Sequence, residues 1–414
     1  MIYRKWLKNG GGAWLILGWG KSGKSAAQLL LSRGEKVLGI EDDPAVVVDP
    51  EIERLTDYHT IPWHTLKALV VSPGVPPQHP VYQMALQQPV EVIGELELAL
   101  RYLQQQPLLA ITGTNGKTSV TLLTTHVLNN AGIPARALGN VGEPLSSYAL
   151  CPHPEEVLVL ELSSFQIETL SSRVFDAAAL LNITPDHLDR YPDMLSYAKT
   201  KCALQRYLKE GAPFFVQQEV VRQFGQWLTP PYQTFDGIDH ESQNRAAAWA
   251  LCQTRGVRPE PFAEALTSFR KPAHRIEFVC EIDGICYYDD SKGTNIDAVV
   301  HAVRAMKGQV ILIVGGVDKG ASYLPWTQAF PDKIKFILAL GAAAPKIFSE
   351  LHPYFQIEIV DSLEMAVDRA HQKATQTDCV LLSPGCSSYD MFRDYKHRGE
   401  EFQRCVHNKR RESL

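Results

Sequence analysis

Two glycine-rich segments of this sequence have the residue types that bind phosphate groups. The first, Gly18–Ser25 (GWGKSGKS), satisfies both the phosphate-loop pattern G-x-x-x-x-G-K-[ST] and the dinucleotide pattern G-x-G-x-x-G. The second, Thr112–Ser119 (TGTNGKTS), departs from the strict phosphate-loop pattern because Ile111 occupies the place of the first glycine. Backbone N–H groups at a helix start can hold phosphate oxygens in either loop, and the alternative for each is a tight structural turn.

A carboxylate at a strand end favours ATP binding at the second loop. The apolar segment Val157–Leu160 predicts a strand, and Glu161 follows it directly. A phosphate-loop enzyme places the acid that helps to hold Mg²⁺ at such a position. In this interpretation Lys117 reaches the β and γ phosphates, and the Thr118 hydroxyl binds the same ion.

The first loop is followed by a different acidic signal. The predicted strand Lys36–Ile40 ends in Glu41 and Asp42, about 20 residues after the loop, where an acidic side chain would meet a ribose hydroxyl. No comparable carboxylate for a metal accompanies this loop. We therefore predict ATP at the second loop and a nucleotide or nucleotide-sugar at the first.

A third chemical cluster is the segment Asn182–Pro192 (NITPDHLDRYP), which follows an apolar run. His187 lies where it could ligate a second metal ion, although a lone histidine is usually structural. Lys201 follows 14 residues later, on the predicted helix Leu195–Lys209.

Three charged or glycine-rich loops of the C-terminal third also follow predicted strands. Ligands of parallel sheets bind beyond the carboxyl ends of the strands, so we expect these loops to face one cleft. Lys292, Lys319 and Arg275 would make that cleft positive, which indicates an anionic substrate. The three loops are Tyr288–Asn295, Gly315–Gly320 and Ser383–Ser388.

Short apolar runs alternate with helix-like segments along the chain, which predicts an α/β fold with mostly parallel sheets. At 414 residues the chain is too long for one ordinary core. We predict three domains, at residues 1–96, 97–271 and 272–414, and a first helix over Ser25–Ser32. The polar segment 104–107 precedes the strand that opens the second glycine loop.

Composition excludes several classes of protein. A net charge of −5 argues against broad adhesion to nucleic acid or to anionic membranes, and no run approaches the 18 apolar residues that span a bilayer. The basic start Met1–Lys8 precedes an apolar run of only five residues, Ala13–Leu17, which is too short for a signal peptide. The eight cysteines include no C-x-x-C pair, so we expect reduced thiols and a cytoplasmic location.

Taken together, these motifs resemble those of the Mur ligases, and the resemblance covers the whole chain. Its most discriminating segments are Glu161–Gln166 (ELSSFQ) and Ser383–Asp390 (SPGCSSYD). The others are Thr112–Ser119, Gly139–Gly142, Asn182–Pro192, His274-Arg275, Asp290–Asn295 and Arg398-Gly399.

The resemblance implies an ATP-dependent amide ligase of peptidoglycan synthesis. Its domains would be an N-terminal Rossmann-like domain for a UDP-sugar, a central phosphate-loop ATPase domain, and a C-terminal dinucleotide-fold-like domain that binds the amino acid and ATP. The nearest resemblance within the family implies UDP-N-acetylmuramoyl-L-alanine and D-glutamate as substrates. The γ-phosphate would pass to the substrate carboxylate, and the amine of D-glutamate would then attack the acyl phosphate. A monomer is expected.

The resemblance also assigns site residues. Those for ATP are Gly113, Thr114, Asn115, Gly116, Lys117, Thr118, Ser119, Asn244, Arg275, Asp290 and Lys292. Those for the UDP-sugar are Ser22, Glu41, Asp42, Ser72, Pro73 and Gly74, and those for its muramoyl-alanine end are Asn140, Ser163, Gln166 and His187. Those for D-glutamate are Thr294, Lys319, Ser388 and Tyr395.

Two Mg²⁺ ions and a modified lysine are implied as well. Thr118 and Glu161 would hold one ion, and His187 would hold the second together with a carbamylated Lys201. Lys199 is the competing candidate for the carbamate, because the preceding loop is one residue shorter than usual. The catalytic residues implied are Lys117, His187 and Lys201.

Three departures from the family pattern and three rival functions stay open. Glu241 replaces a common asparagine, Tyr395 replaces a common phenylalanine, and Val317-Asp318 shifts the acid of the glycine loop by one place.

The nearest rival is another Mur or folylpolyglutamate-type ligase. A second rival is a nicotinamide dehydrogenase, which the dinucleotide pattern of Gly18–Gly23 together with Glu41 would support. A third is a non-enzymatic nucleotide sensor, which would bind ATP without turnover.

Overall fold

The computed structural model describes residues 12–103, 106–330 and 332–412. The basic start Met1–Lys8 and the first two glutamines of the segment 104–107 lie outside the described residues. Within the described ranges the chain forms three β-sheets with helices packed against them.

The strands fall into three consecutive groups along the chain. The first sheet contains β1 (Ala13–Leu17), β2 (Lys36–Ile40), β3 (Glu53–Arg54), β4 (Leu66–Val71) and β5 (Glu91–Gly94). The second contains β6 (Leu108–Thr112), β7 (Ala135–Gly139), β8 (Val157–Glu161), β9 (Ala177–Leu180), β10 (Phe214–Gln217) and β11 (Gln233–Phe235). The third contains β12 (Glu277–Ile282), β13 (Ile285–Asp289), β14 (Val310–Gly315), β15 (Ile334–Leu340), β16 (Ile357–Ile359) and β17 (Cys379–Leu382).

Helices connect most of these strands. Those up to the end of the second sheet are α1 (Lys21–Ser32), α2 (Pro80–Leu86), α3 (Glu95–Tyr102), α4 (Lys117–Asn130), α5 (Leu145–Tyr148), α6 (Ser164–Glu168), α7 (Met194–Cys202) and α8 (Gln218–Phe224). Those that follow are α9 (His240–Gln253), α10 (Pro259–Ser268), α11 (Ile296–Ala305), α12 (Pro325–Ala329), α13 (Ala344–Leu351), α14 (Leu363–Lys373) and α15 (Tyr395–Glu412).

The sheets are almost entirely parallel, so the predicted α/β fold class is confirmed. Their strand orders are β3-β2-β1-β4-β5, β11-β10-β9-β6-β8-β7 and β12-β13-β17-β14-β15-β16. Only the β12–β13 pair is antiparallel among the described strands. The sheets lie within the three predicted domain ranges, and the domain limits themselves stay predictions.

The central strands are buried on both faces, as their continuous apolar sequences require. In β14, Val310, Leu312 and Val314 pack into one core, while Ile311 and Ile313 pack into the core on the opposite face. β1 alternates in the same way between two cores of the first sheet. These rigid sheets hold the loops at their carboxyl ends in fixed positions.

The described residues form two compact units. One comprises the chain up to Ile183 together with Tyr197–Phe269, and the other comprises Thr184–Ser196 with the chain from Arg270 onward. In the first unit, the buried Glu97 carboxylate joins α3 to the segment after α6, because it accepts hydrogen bonds from both the backbone and the side chains of Ser171 and Ser172.

The predicted helix Leu195–Lys209 is wrong in its second half. α7 ends at Cys202, a 3₁₀ turn covers Ala203–Tyr207, and the chain is extended at Leu208. The Tyr207 carbonyl accepts hydrogen bonds from the N–H groups of Val174 and Phe175, and Leu208 pairs with Phe175. Backbone pairing with this neighbouring segment therefore outweighs helix propensity.

No helix in the described ranges is long and apolar enough to cross a membrane. All eight cysteines are free thiols.

Candidate active site

The glycine loops predicted from the sequence follow central strands at which the strand order of each sheet reverses. β1 lies between β2 and β4, β6 lies between β8 and β9, and β14 lies between β15 and β17. Open α/β sheets bind ligands in the crevice at such a point. Each sheet therefore offers one ligand position, at the loop after its central strand.

The geometry of the first loop differs from that expected of a phosphate loop at the motif lysine. α1 begins at Lys21, four residues before the start predicted from the sequence. Lys24 consequently lies inside the helix with its side chain exposed, and the Ser25 hydroxyl is hydrogen-bonded to Ser147 at 2.8 Å. The early start is possible because Gly23 has no Cβ, which would overlap the carbonyl oxygen of Gly18. The loop is a close strand-to-helix turn of the dinucleotide type.

The residues predicted for the UDP-sugar surround this turn. The Ser72 hydroxyl donates to the Gly18 carbonyl at 2.7 Å, and the Glu41 carboxylate accepts the Trp19 N–H at 2.7 Å. Glu41 therefore stabilises the loop, in addition to the ribose contact predicted for it. Ser22 lies in the first turn of α1, and Pro73 and Gly74 follow Ser72 after β4.

Asp42 lies in a small polar cluster beyond β2. It accepts hydrogen bonds from the Tyr58 hydroxyl and from His79. The Tyr58 hydrogen bond, followed by that of His79, lowers the pKa of Asp42 below its usual value. Asp42 is thus an ionised acceptor next to the first loop.

In the second loop, unlike the first, the lysine of the G-K-[ST] motif stands at the start of the helix. α4 begins at Lys117, so the lysine stands at the first helical position after the loop. Its Nζ donates to the carbonyl oxygens of Gly113 at 2.8 Å and Thr114 at 2.7 Å. Asn182, which lies two residues after β9, fixes the loop, since its Oδ1 accepts the Asn115 N–H and its Nδ2 donates to the Asn115 carbonyl. Ser119 and the buried Thr118 follow in the first turn of α4.

Lys201 lies against the same loop. Its side chain is buried, and its Nζ donates to the Gly113 carbonyl at 2.8 Å and lies 4.7 Å from the ring centre of Tyr197. The competing Lys199 is exposed and lies over the Trp227 ring. The two lysines therefore occupy different environments, and only Lys201 contacts the loop.

Glu161 is the last residue of β8, beside β6, and it is buried. Its Oε1 accepts a hydrogen bond from the Asn140 side chain at 2.8 Å. Its Oε2 is buried without a hydrogen-bond partner among the described residues. A buried carboxylate oxygen is costly to leave unpaired, so this atom fits a cation ligand.

Ser163 and Gln166, predicted to contact the substrate, form the N-terminal capping box of α6. The Ser163 hydroxyl accepts the Gln166 N–H at 3.2 Å, and the Gln166 side chain accepts the Ser163 N–H at 2.9 Å. They lie two and five residues after Glu161, on the same loop-to-helix junction. Their structural role is helix capping.

α9 brings Asn244 to the second loop. A Cβ on Gly116, whose φ is +84°, would overlap the Asn244 Oδ1. Glu241, the departure from the family pattern, forms an ion pair with Arg245 on the exposed side of the same helix. Asn244 therefore lies beside the second loop, and its contact with ATP stays a prediction.

In the second compact unit, Asp290 lies buried at the end of β13. It accepts hydrogen bonds from the Ser383 hydroxyl at 2.7 Å and from the Ile276 N–H at 3.2 Å. Burial raises the pKa of Asp290 to about 7, while the Ser383 hydrogen bond and the charge of Arg275 oppose this increase. A carboxyl group that titrates near neutrality is typical of functional sites.

Two of the predicted lysines lie near other predicted residues of this unit. The Lys292 Nζ lies 4.0 Å from the ring centre of Tyr395. The Lys319 Nζ donates to the Thr294 hydroxyl at 3.3 Å and to the Asp186 carboxylate at 3.0 Å. Ser388 is buried in the loop after β17. Lys319 and Thr294, both predicted to hold D-glutamate, are therefore adjacent.

His187 follows Asp186 and has a left-handed backbone with φ +56°. Its carbonyl accepts the N–H groups of Arg190 and Tyr191, which closes the turn. His187 and Lys201 belong to different compact units, and their joint role at a second metal stays a prediction.

Sequence reasoning assigned no role to Arg398, whose guanidinium is buried in the second unit. It donates to the backbone carbonyls of Ser291, Cys386 and Gly315, one in each of the three predicted loops. Burial lowers its pKa to about 10. The arginine holds the three loops together, and the only signal for it was its place in the Arg398-Gly399 motif.

Comparisons with known proteins agree with this geometry. The family model described as "Mur ligase middle domain" matches residues 111–258, and the one described as "Mur ligase, glutamate ligase domain" matches residues 274–386. The UDP-N-acetylmuramoylalanine--D-glutamate ligase of Protochlamydia amoebophila is 44% identical, with 95% of this chain and 97% of the relative covered. The enzyme of the same name from Chlamydia pneumoniae is 34% identical, with 94% and 96% covered.

A solved structure supports the fold alone. The MurF ligase of Thermotoga maritima in complex with ADP aligns with a TM-score of 0.61 at 15% identity, and covers 98% of this chain and 97% of that one.

Proposed function

Since the chain belongs to the Mur ligase family, we propose that it is the ATP-dependent ligase that joins D-glutamate to UDP-N-acetylmuramoyl-L-alanine. The observation that carries the choice of amino acid is its near-full-length similarity to D-glutamate ligases. The reaction class is supported independently by a phosphate loop with a strand-end carboxylate, in a unit separate from the amino-acid site.

ATP is assigned to the second loop. The Lys117 amine is in place to bind the β and γ phosphates, and backbone N–H groups at the start of α4 add further donors. Asn244, beside Gly116, borders the same loop. The first loop is assigned to the UDP part of the sugar substrate. α1 also begins with N–H groups that no side chain caps, but the lysine at its start, Lys21, donates to the Gly142 carbonyl at 2.7 Å, whereas Lys117 donates to the carbonyls of its own loop.

The residues at this loop fit one Mg²⁺. The unpaired Oε2 of Glu161 and the buried hydroxyl of Thr118 are oxygen donors of the kind that Mg²⁺ prefers. When bound, the ion would neutralise charge on the phosphate oxygens. Asn140 holds the Glu161 carboxylate in place through its other oxygen. A second ion, with His187 and a carbamylated Lys201 as ligands, is proposed from the family resemblance.

Lys201 is the better candidate for carbamylation. Its amine lies against the loop carbonyl of Gly113, and a carbamate nitrogen keeps one N–H with which to maintain that bond. Lys199 lies exposed over Trp227, away from these contacts. Incubation with ¹³C-bicarbonate should therefore give a carbamate signal by NMR that Lys201→Gln loses and Lys199→Gln keeps. A signal lost only in Lys199→Gln would reverse this assignment.

The reaction proposed places strong negative charge in one site. The γ-phosphate moves to the terminal carboxylate of the sugar substrate, the amine of D-glutamate attacks the acyl carbon, and inorganic phosphate leaves as the amide forms. The protein orients these groups and offsets their repulsion. Lys117 serves the phosphates, while Lys319 and Thr294, adjacent in the second unit, serve a carboxylate of D-glutamate.

Phosphate release tests the function directly. With ATP, Mg²⁺ and UDP-N-acetylmuramoyl-L-alanine, the protein should release phosphate with D-glutamate and not with L-glutamate. Release that depends instead on L-alanine and UDP-N-acetylmuramate would support a different ligase of the family. Tight NAD binding without phosphate release would favour a dehydrogenase.

Glu161→Gln is the matched variant for the metal site. The glutamine oxygen can still accept the Asn140 hydrogen bond, so the fold should be retained. Turnover should fall by at least about 100-fold, because a charged metal ligand is lost. Turnover close to that of the wild type would remove Glu161 from the metal site.

A further inference from the structure

Asp318, the shifted acid of the glycine loop after β14, is held by two side chains from outside that loop. Its Oδ1 accepts a hydrogen bond from the Tyr323 hydroxyl at 3.0 Å, and its Oδ2 accepts one from the Lys346 Nζ at 2.8 Å. The Lys346 amine also donates to the Ala321 carbonyl at 2.9 Å. The carboxylate is thus anchored from both sides.

Tyr323 extends this contact to the loop after β17. Its hydroxyl oxygen lies 3.0 Å from the Sγ of Cys386, and both side chains are buried. Because the single hydroxyl proton is donated to Asp318, the Cys386 thiol is the donor to the tyrosine oxygen. Burial raises the pKa of Cys386 to about 11, so the thiol keeps its proton at neutral pH.

This chain of hydrogen bonds connects the two loops that carry predicted amino-acid ligands. Lys319 directly follows Asp318, and Ser388 lies two residues after Cys386. The backbones of the same loops meet in one bridge, where Val317 and Ser387 exchange N–H···O bonds of 2.9 and 3.0 Å. The Gly315 N–H also donates to the Pro384 carbonyl at 2.9 Å, and Arg398 donates to carbonyls of both loops, so the loops are joined at their bases. The hydrogen-bond chain through Tyr323 adds a contact at Asp318, the residue next to Lys319.

We propose that Asp318 and Tyr323 are positioning residues that set the spacing between Lys319 and Ser388, and thereby the affinity for the amino-acid substrate. This inference rests on the proposed function. The backbone contacts join the loops as far as Val317, and the hydrogen-bond chain through Tyr323 extends this connection to Asp318, so the two groups that would receive the carboxylates of D-glutamate keep one separation. The adjacent Asp318 and Lys319 side chains therefore have different roles. Lys319 lies beside Thr294, where it would bind the substrate, and Asp318 binds Tyr323, which holds the loop.

Tyr323→Phe removes only the hydroxyl and tests the inference. The KM for D-glutamate should rise about tenfold, which is the effect of one lost hydrogen bond to a charged group. The KM for ATP and kcat should stay within about twofold of the wild type, since the phosphate loop lies in the other compact unit. A purely structural role would lower all activity together and would not separate these constants.

Lys346→Met and Tyr354→Phe complete the experiment. Lys346→Met removes the second donor to Asp318 and should also raise the KM for D-glutamate. Because Lys346 is partly exposed, this variant serves as the test if Tyr323→Phe does not fold. Tyr354 is an exposed tyrosine of the same unit, and its phenylalanine variant should match the wild type. If Tyr323→Phe is active and its KM for D-glutamate is unchanged, the inference is overturned and the proposed function stands. If Tyr323→Phe does not fold, an unchanged KM in Lys346→Met has the same meaning. A wild type without D-glutamate-dependent phosphate release overturns the proposed function as well.

Discussion

Replacement of Asp290 by asparagine should make the protein more stable above neutral pH. The side chain is buried, and its pKa rises from 3.8 to about 7 because burial disfavours the carboxylate. Asparagine has the same shape, can accept the Ile276 N–H, and can donate to the Ser383 hydroxyl. The substitution therefore removes the charge with little change in packing.

The sign and size of the effect follow from linkage. The pKa of Asp290 is raised in the folded state, so its contribution to stability is complete below pH 3.8 and is lost as the pH rises through about 7. The interval from 3.8 to about 7 corresponds to about 4 kcal/mol at about 1.4 kcal/mol per pH unit. Between pH 5.5 and 8.5, the advantage of Asp290→Asn should therefore grow by about 2 kcal/mol.

Urea unfolding of both proteins across this pH range measures the difference in the free energy of unfolding. Asp378→Asn is the matched control, because the pKa of Asp378 is lowered in the folded state, with the Lys335 hydrogen bond as the main lowering cause. Its contribution is lost only as the pH falls below 3.8, so its difference from the wild type should be flat from pH 5.5 to 8.5. An equally flat difference for Asp290→Asn would refute the reasoning.

Two glycine substitutions test the two loops. Gly23→Ala should lower Tm by several degrees and weaken UDP-sugar binding, because the new Cβ overlaps the carbonyl of the loop's first glycine, whereas Gly20→Ala, with open space around it, should bind the sugar normally. Gly116→Ala should raise the KM for ATP at least about tenfold, because the new Cβ overlaps Asn244. Gly132 has the same positive φ but open space around its Cβ position, so Gly132→Ala should lower stability and leave the KM for ATP unchanged. Equal behaviour within either pair, measured by thermal unfolding and steady-state kinetics, would contradict the contact assigned to it.

Much of the fold could be predicted because the buried strands have continuous apolar sequences. β2 has the limits predicted for it, and β8 begins at the predicted residue and ends one residue later, since each is a short apolar run that leads into a turn. The helix over 195–209 could not be predicted correctly, because its end depends on backbone pairing with a segment more than 30 residues earlier. The residues of the helix itself do not show that the chain after them pairs with this segment.

The candidate site divides in the same way. Glu161 and Lys117 were identifiable because a strand end and a helix start fix their positions locally. Arg398 and Tyr323 connect loops that are distant from each other in sequence, and only the folded chain shows that Arg398 and Tyr323 both meet Cys386. In the sequence, Asp318 is only an acid shifted by one place in the glycine loop, and the motif gives no sign of its partners Tyr323 and Lys346.

The register of the helix start, more than the glycine string, decides which loop can hold a triphosphate. The string at Gly18–Ser25 is complete, but its lysine, Lys24, lies inside α1, away from the turn. The lysine at the start of α1, Lys21, donates to the Gly142 carbonyl at 2.7 Å. The string at Thr112–Ser119 lacks a glycine, yet α4 begins at Lys117, and the lysine amine returns to the loop carbonyls. A phosphate-binding lysine at a helix start must also direct its amine to the loop, because there it can reach ligands held by the N–H groups of that turn. A pattern match therefore predicts ATP binding only when the helix start agrees with it.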